Sequence, residues 1–459
     1  MSDAKTHIQS GGEVNVEELT LINTELKYLN IKDYLVELNL YESILSPTLY
    51  GSIMVLDSRN LIREFNITGN EYLSVKFKTP NLQNTISKIF RIYKVSDRSI
   101  VRDLSTQSYI LHFISKEAIV DSYCSLYQNF EGKISDVVKK VYDKFLTVNR
   151  EYEIAPGKPP DGLGVSNIGI QDTKNSVKFV SPGWTPFQII SWCASKAIPE
   201  EGRACNYLFF ETNKSFMFTS IERLYKANNE NNQISVGPYF YGPVDIPSNK
   251  NPINKMFYSQ SVSIQSPDLY KNIGTGYFDS IMLTLDVLNK KSKYHRYDYD
   301  EEFYRYEHVE KNPVSIFNPN GESDVIFNNP NKSVMFYPTQ DPVDNFGLFD
   351  NYQGNFNEED QVTTYYQNRK ANLQDLQNLR LNIEIPGRTD IEAGRMMYFN
   401  FPDVSPKDSS SGVSDGMKGD RLYAGFYLIS AIRHKVNLKN HFMTVELVKD
   451  SFNKERLTS

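Results

Sequence analysis

Carboxylates and aromatic rings alternate along one stretch of the chain, between Tyr294 and Tyr304. Rings and hard oxygens in this pattern could bind sugar faces, hold a calcium ion, or supply the acid and base for glycoside cleavage. The competing interpretation is a structural strand or loop, in which Tyr297 and Tyr299 pack on one face while Asp298 and Asp300 face water. We favour the structural interpretation because no second carboxylate cluster is identifiable at a matching position, and a calcium site is the next alternative.

No other motif in the sequence points to catalysis. The histidines have no HxxxH or HExxH spacing, which would place two metal ligands on one helix face. Ordinary hydrogen-bonded roles are therefore expected for His112 and His434, which lie on predicted strands. No GxSxG elbow or nucleotide-binding glycine motif is present. Cys193 is expected to be buried in a helix beside Trp192 rather than to act as a nucleophile. We predict a protein that is not an enzyme, with no catalytic, cofactor-binding or metal-binding residues and no cofactor.

Composition narrows the class of protein further. The 459 residues include 50 basic and 56 acidic side chains, so there is no basic excess for binding nucleic-acid phosphates. We therefore expect no specific nucleic-acid binding. No apolar run is long enough to span a bilayer, so we also expect no membrane insertion. The three cysteines, Cys124, Cys193 and Cys205, are widely separated and are expected to be buried thiols made in a reducing cytoplasm. Thirty tyrosines and 27 phenylalanines favour β-sheet.

A pattern of one glycine followed by three alternating strands occurs twice. The first copy begins at Gly69 and ends with the charged pair Lys116 and Glu117, and the second begins at Gly394 and ends with Lys449 and Asp450. The strand positions that correspond are Leu73, Val75, Phe77, Ile92, Val95, Tyr109, Leu111 and Phe113 in the first copy, and Met397, Phe399, Phe401, Ile429, Ile432, Met443, Val445 and Leu447 in the second. The offset stays near one value, which is 334 between Leu111 and Val445. The chain is therefore predicted to carry two similar β-domains.

The remaining elements predict an α+β protein that is mainly β. Ile134, Val137, Val138, Val141, Tyr142 and Phe145 form the apolar stripe of one helix. Thr185 and Pro186 should begin a second helix, a hairpin should follow at 207–219, and a helix is expected around Leu373, Leu376 and Leu379. The predicted domains are a first small antiparallel β-barrel at 16–117, a mixed α+β domain at 118–235, the start of the second β-domain at 236–290, an irregular insertion at 291–365, and a second barrel at 366–455.

Taken in order, the motifs resemble the baseplate hub proteins of contractile-tailed bacteriophages, the T-even type hub. The resemblance runs from about Leu21 to Phe452. It is carried by Tyr41–Pro47, Gly69–Pro80, Tyr109–Glu117, the helix that begins at Gly132, Ser181–Phe187, Tyr207–Phe218, Pro386–Thr389 with Gly394, and Val445–Ser451.

This resemblance implies a structural virion protein of the tail baseplate, assembled in the host cytoplasm. It implies a homotrimeric ring with two tube-type barrels per subunit, which joins the six-fold tail tube to the three-fold central spike and forms part of the tail channel. Implied partners are the spike protein, the tube protein, tape-measure or tube-initiator proteins, and baseplate wedge proteins. Type VI secretion spike proteins look similar here but continue into a β-helical spike, so we expect a separate spike protein. The alternative function is a carbohydrate-binding or carbohydrate-active tail protein that uses the 294–304 run.

Overall fold

The structure is a computed structural model. It describes residues 11–23, 25, 27–80, 82–100, 106–147, 167–230, 236–241, 257–286, 290–313, 333–339, 358–401, 420 and 422–452.

The first unit of the fold is an antiparallel sheet wrapped around an apolar core. Its strands are β1 (Asn15–Ile22), β2 (Tyr28–Asn30), β3 (Leu35–Ser43), β4 (Tyr50–Asp57), β5 (Tyr72–Lys78), β6 (Thr85–Ile100) and β7 (Gln107–Ser115). A 3₁₀ turn spans Lys32–Tyr34, and a short helix, α1, spans Leu61–Glu64. Tyr109, Leu111 and Phe113 are buried in this core, as their alternation predicts.

The middle domain combines helices with short strands. Its elements are α2 (Lys116–Tyr123), β8 (Asn129–Lys133), α3 (Ile134–Val141), β9 (Ile168–Ile170), β10 (Ser176–Val180), α4 (Pro186–Lys196), β11 (Tyr207–Glu211), β12 (Phe216–Ser220) and α5 (Ile221–Glu230), with a π-helical turn at Tyr142–Leu146. The predicted helix stripe faces a separate core, in which Ile134 and Val138 are fully buried. Helix α4 begins as predicted, because the side chain of Thr185 accepts a hydrogen bond from the backbone of Gln188 in a capping box.

The second unit is again mainly antiparallel sheet. Its strands are β13 (Val236–Tyr241), β14 (Tyr258–Ser259), β15 (Ser261–Gln265), β20 (Leu379–Pro386), β21 (Met396–Asn400), β22 (Gly425–Val436), β23 (His441–Lys449) and β24 (Ser451–Phe452). Met443, Val445 and Leu447 are fully buried in its core.

An inserted module lies between β15 and β20 in the chain. It contains α6 (Leu269–Thr275), β16 (Asp279–Asp286), β17 (Lys291–Asp298), α7 (Tyr299–Phe303), β18 (Asn312–Pro313), β19 (Ser333–Thr339) and α8 (Glu358–Asp375). Strand β16 pairs with β17 in the antiparallel sense and with β19 in the parallel sense. The irregular structure expected for 291–365 is therefore wrong for these elements. Charged residues and tyrosines fill β17 at the edge of this small sheet, so its hydrophobic periodicity is weak.

Two other predictions concern the end of a helix and the rest of the insertion. The helix expected around Leu373, Leu376 and Leu379 ends earlier, because a turn closed by Asn378 N and Asp375 O follows α8 and Leu379 begins β20. The stretches 314–332 and 340–357 of the predicted insertion lie outside the described residues. The domain boundaries stay predictions.

The two units share one strand order. Hydrogen-bonded neighbours run β3, β4, β7, β6, β5, β1 in the first unit, and β15, β20, β23, β22, β21, β13 in the second. The glycine before β5 and the glycine before β21 both have positive φ, 91° at Gly69 and 84° at Gly394. An L-residue with a side chain is strained there, which explains why both copies carry glycine.

The two sheets are continuous rather than two closed barrels. Strand β22 pairs along one edge with β23, and along the other edge first with β21 and then with β3 of the first unit. This β22–β3 pairing, called the joint below, merges both units into one 14-stranded sheet. The prediction of two closed barrels is wrong in this respect, because the alternation of residues within strands does not report which edges pair.

Candidate functional site

The aromatic and acidic run predicted as the strongest candidate site forms β17, α7 and the turn after it. Tyr297, Tyr299 and Phe303 are buried in a small core of the inserted module. Tyr294 and Tyr304 are exposed, at 75% and 71%. The run is thus part of a folded module, with most of its rings used for packing.

The described carboxylates of the run hold local structure. Asp298 caps α7 by accepting hydrogen bonds from the backbone of Asp300 and Glu301 at 3.2 and 3.4 Å. It also forms an ion pair with Arg296 at 3.0 Å. Glu302 accepts from Arg305 Nη1 at 2.6 Å and from Tyr306 Oη at 2.9 Å. No observation here favours a paired acid and base for glycoside cleavage.

A buried carboxyl group on α8 supports the run. Asp375 Oδ1 accepts hydrogen bonds from the hydroxyls of Tyr277 and Tyr299, the latter at 3.0 Å. Burial, together with the nearby charge of Asp450, raises the pKa of Asp375 to about 8. This carboxyl group is therefore protonated at neutral pH, which lets it sit inside an aromatic core.

Among the described residues, no group of three or more histidine, cysteine, aspartate or glutamate side chains could hold a metal ion. Two histidines nevertheless meet in the core, with His434 Nδ1 and His441 Nε2 3.0 Å apart. Phe77 of the first unit lies edge-on to both rings. Burial lowers the pKa of His434 to about 4, and burial with His434 lowers that of His441. The pair is a neutral structural contact. His7 lies outside the described residues.

The cysteines do not form a reactive site. Cys193 and Cys205 are buried, as predicted, whereas Cys124 is half-buried. Burial raises the pKa of the Cys193 thiol to about 12, so it carries no thiolate at neutral pH.

Buried charges at the contact between the first unit and the middle domain were not predicted. Glu211 of β11 accepts hydrogen bonds from Leu49 N at 2.9 Å and Ser115 Oγ at 2.5 Å. Lys88 Nζ lies 2.5 Å from the other carboxylate oxygen of Glu211. The acidic residues that end the two repeat copies, Glu117 and Asp450, are also buried. Their recurrence in both copies is the one sequence signal that could have indicated this.

The sheet offers two strand edges that correspond to the two sides of the joint. In the joint, Ala431–Val436 of β22 pairs with Leu38–Ser43 of β3. By strand order, β6 of the first unit is the equivalent of β22, and β15 of the second unit is the equivalent of β3. Within the described residues, no strand pairs with β6 beyond Arg91 on its β5 side, or with β15 on the side away from β20.

The two edges can be aligned residue by residue through their pairing registers. Arg433 lies opposite Thr444 and Ser96 lies opposite Ile110, which makes Ser96 the equivalent of Arg433 at the repeat offset of 334 between β7 and β23. On the other edge, Gln265 lies opposite Arg380 and Tyr41 lies opposite Tyr50. The same comparison makes Gln265 the equivalent of Tyr41.

Side chains across the joint are polar. Arg433 Nε donates to Asn39 Oδ1 at 2.9 Å, and Lys435 lies 3.2 Å from Glu37. Because Arg433 and Tyr41 face each other in the joint, the same geometry would place Ser96 opposite Gln265 if one chain docked on another in this way.

Comparison with known proteins finds a related protein in a phage tail. No family model matches the chain. Among curated proteins, the probable baseplate hub protein gp334 of Vibrio phage KVP40 is 20% identical over 435 residues, which cover 92% of this chain and 91% of that protein. The chain is related to phage baseplate hub proteins. The resemblance read from the order of the motifs is thereby confirmed.

Comparison with solved structures gives two tail proteins at low sequence identity. The tail protein from Neisseria meningitidis MC58 has a TM-score of 0.50 and 9% identity, covering 94% of this chain and 96% of that chain. The 43 kDa tail protein of prophage MuSo2 from Shewanella oneidensis has a TM-score of 0.47 and 9% identity, covering 94% of this chain and 98% of that chain. The first likeness supports the fold. Among the described helices, none has the length and apolar character needed to cross a membrane.

Proposed function

We propose that this protein is a non-enzymatic structural component of a phage tail baseplate, acting as a trimeric hub. The observation that carries the proposal is the repeat together with its joint. One chain already contains two similar units linked by strand pairing, and in the described part of the chain the matching edges of β6 and β15 are unpaired. Relatedness to a baseplate hub protein over nine tenths of the chain supports the same assignment.

Repeating the joint between subunits would close a ring. The joint is a head-to-tail contact, since β22 of one unit meets β3 of the other, and such contacts form rings when the rotation closes. Three chains with two units each would then present six similar units. A ring of this kind has three-fold symmetry in its subunits and approximate six-fold symmetry in its sheet.

That symmetry suits the partners expected of a hub. The six similar units would face the six-fold tail tube, and the three middle domains would face a three-fold central spike supplied by a separate protein. Tape-measure, tube-initiator and wedge proteins are further proposed neighbours. The outer sheet face near the joint carries Asn39, Ser52 and Lys435, opposite the apolar core, and a polar face is what a water-filled channel wall requires.

The first test is the solution mass of the protein by light scattering, alone and mixed with the candidate spike protein. A mass of three subunits, and a three-to-three complex with the spike, are the expected results. A monomer that does not bind the spike would contradict the trimeric hub.

The second test examines the edge pairing itself. The double variant Ser96→Cys with Gln265→Cys should form a disulfide between subunits on oxidation, giving linked species on a non-reducing gel. The control is Ser52→Cys with Gln265→Cys, because Ser52 lies on β4 inside the sheet and is paired on both sides. A trimer that links no better than this control would leave the hub in place and refute the proposed pairing.

A further inference from the structure

A cleft separates the inserted module from the middle domain. It has a volume of about 720 Å³ and lies between the loop at 198–203 and strand β17, with Gln367 and Asn368 of α8 in its wall. Tyr294 and Arg296 of β17 line it. This cleft belongs to no contact used by the proposed ring.

The wall on the middle-domain side is held in place by backbone contacts. Thr173 forms a β-bridge with Pro199, and Lys174 N donates to Ile198 O at 2.9 Å. Arg203 N donates to the buried Glu222 at 2.9 Å. The cleft is thus preformed, so a ligand would not have to order this loop on binding.

The strand that lines the cleft has a free edge. Tyr299 N donates to Phe278 O at 2.9 Å, and the register of β16 and β17 continues from this pair. In an antiparallel ladder, every second residue then points its backbone groups away from the partner strand. In β17 these are Ser292, Tyr294, Arg296 and the terminal Asp298, whose side chain already caps α7. Within the described residues, β17 pairs with β16 alone.

The charges left unpaired around this edge are basic, because the two carboxylates that line the cleft already have cations beside them: Glu302 lies 2.6 Å from Arg305, and Glu200 lies 3.4 Å from Lys133. Lys174 and Arg203 line the cleft and are exposed, and their side chains make no ion pair with any described residue. Arg296, by contrast, is already bound to Asp279 at 3.0 Å. Strand β17 also carries Lys291, and a basic edge disfavours pairing with a second copy of itself.

We propose that this cleft binds an extended acidic peptide segment of a partner protein, added as a strand to the free edge of β17. The backbone groups of Ser292, Tyr294 and Arg296 supply the hydrogen bonds, as in other cases of strand addition. Lys174 and Arg203 select acidic side chains by charge. The exposed ring of Tyr294 offers apolar contact beside the edge. The proposal does not depend on the trimeric ring.

A synthetic peptide tests the proposal on the intact protein. Strand β17 has eight residues, so the probe is a fluorescent eight-residue peptide of alternating glutamate and threonine. It should bind with an affinity that falls as salt screens the charges. The same peptide with lysine in place of glutamate, or with every backbone amide N-methylated, should not bind. No binding of the first peptide, or equal binding of the N-methylated one, would overturn strand addition.

Variants of the protein separate charge from backbone pairing. Lys174→Ser with Arg203→Ser should weaken binding about tenfold, since two partly screened ion pairs with the peptide are lost. The charge-matched control is Lys139→Ser with Lys140→Ser on the exposed face of α3, which should bind like the unmodified protein.

The substitution Tyr294→Pro removes one outward N–H without breaking the β16 ladder and should abolish binding. Tyr294→Ala, which keeps that N–H, should retain most of it. Equal binding by the proline and alanine variants would refute pairing at this edge.

Discussion

Several side chains in this protein gain their roles only from burial. Glu42 on β3 is an example. Its Oε1 accepts a hydrogen bond from Ala393 N at 2.7 Å, while its Oε2 is buried and has no hydrogen-bond partner among the described residues. Burial, with smaller effects from neighbouring charges, raises the pKa of Glu42 to about 8. The group is protonated in the folded protein at neutral pH and ionised when the chain unfolds.

The substitution Glu42→Gln should stabilise the protein above neutral pH. The stability contribution of a carboxyl group with a raised pKa is complete below its unfolded value of 4.5 and is lost as the pH rises towards about 8. Glutamine stays neutral, so the free energy of unfolding at pH 8 should increase by about 4 kcal/mol, measured by chemical denaturation across pH. The exposed Glu64→Gln serves as control and should not reproduce the gain.

The histidine pair should make the protein sensitive to mild acid. Because burial lowers the pKa of His434 to about 4, its contribution to stability is complete above the unfolded value of 6.5 and declines as the pH falls towards 4. At pH 5 the free energy of unfolding should be about 2 kcal/mol lower than at pH 7 through this residue. The double variant His434→Leu with His441→Leu should show a flatter pH dependence.

Two other histidines must be considered when that experiment is designed. Burial alone would lower the pKa of His308, but contact with Asp450 raises it, so its contribution has the opposite sign. The test therefore compares slopes between variants rather than the slope of one protein. His112→Gln should keep the acid sensitivity of the unmodified chain, and an unchanged slope in the leucine double variant would refute the role of the pair.

Residue partners across long sequence separations were beyond sequence reasoning. Glu211 contacts Leu49 and Ser115, which lie 162 and 96 residues away in the chain. Nothing in the local pattern around Glu211 distinguishes a buried carboxylate from a surface one. The charged ends of the repeat at Glu117 and Asp450 gave a hint, because surface charges have no reason to recur at matched positions.

At the scale of single elements, the strands that face a core were predictable. Val445 is fully buried, whereas its neighbours on the strand are the exposed Thr444 and the half-buried Glu446. The substitution Val445→Asp places an unpaired charge in the core and should cost several kcal/mol, enough to abolish soluble protein. Thr444→Asp is the matched control and should yield normal soluble protein. Equal yields of the two variants would contradict the assigned strand faces.

The success of the prediction for each element depended on the contrast between its buried and exposed residues. Helices α3 and α4 have apolar stripes, and α4 has a complete cap, so their positions were correctly predicted. Strand β17 is polar in sequence because both of its faces are exposed over residues 291–294. The end of α8 was misplaced because leucines continue past Asp375 into β20. Hydrophobic spacing reports burial, and it fails where an edge strand is solvated or where a helix is followed directly by a strand.

At the scale of the whole molecule, the repeat was predictable and the connection between its copies was not. The spacing around Gly69 and Gly394 indicated two similar units, and the shared strand order agrees with that. Whether each sheet closes on itself or runs into the next depends on hydrogen bonds between strand edges, which leave no trace in side-chain alternation. The contact between β22 and β3 therefore had to be seen in the structure.

The way β22 is shared has a mechanical consequence. Its 12 residues are bonded to β23 on one side and to β21 and β3 on the other. A force that pulls the two units apart along β22 would load many backbone hydrogen bonds at once in shear, instead of peeling them singly. The joint should therefore resist tension along the strand far better than tension across it, so that stiffness in this protein has a direction set by one strand.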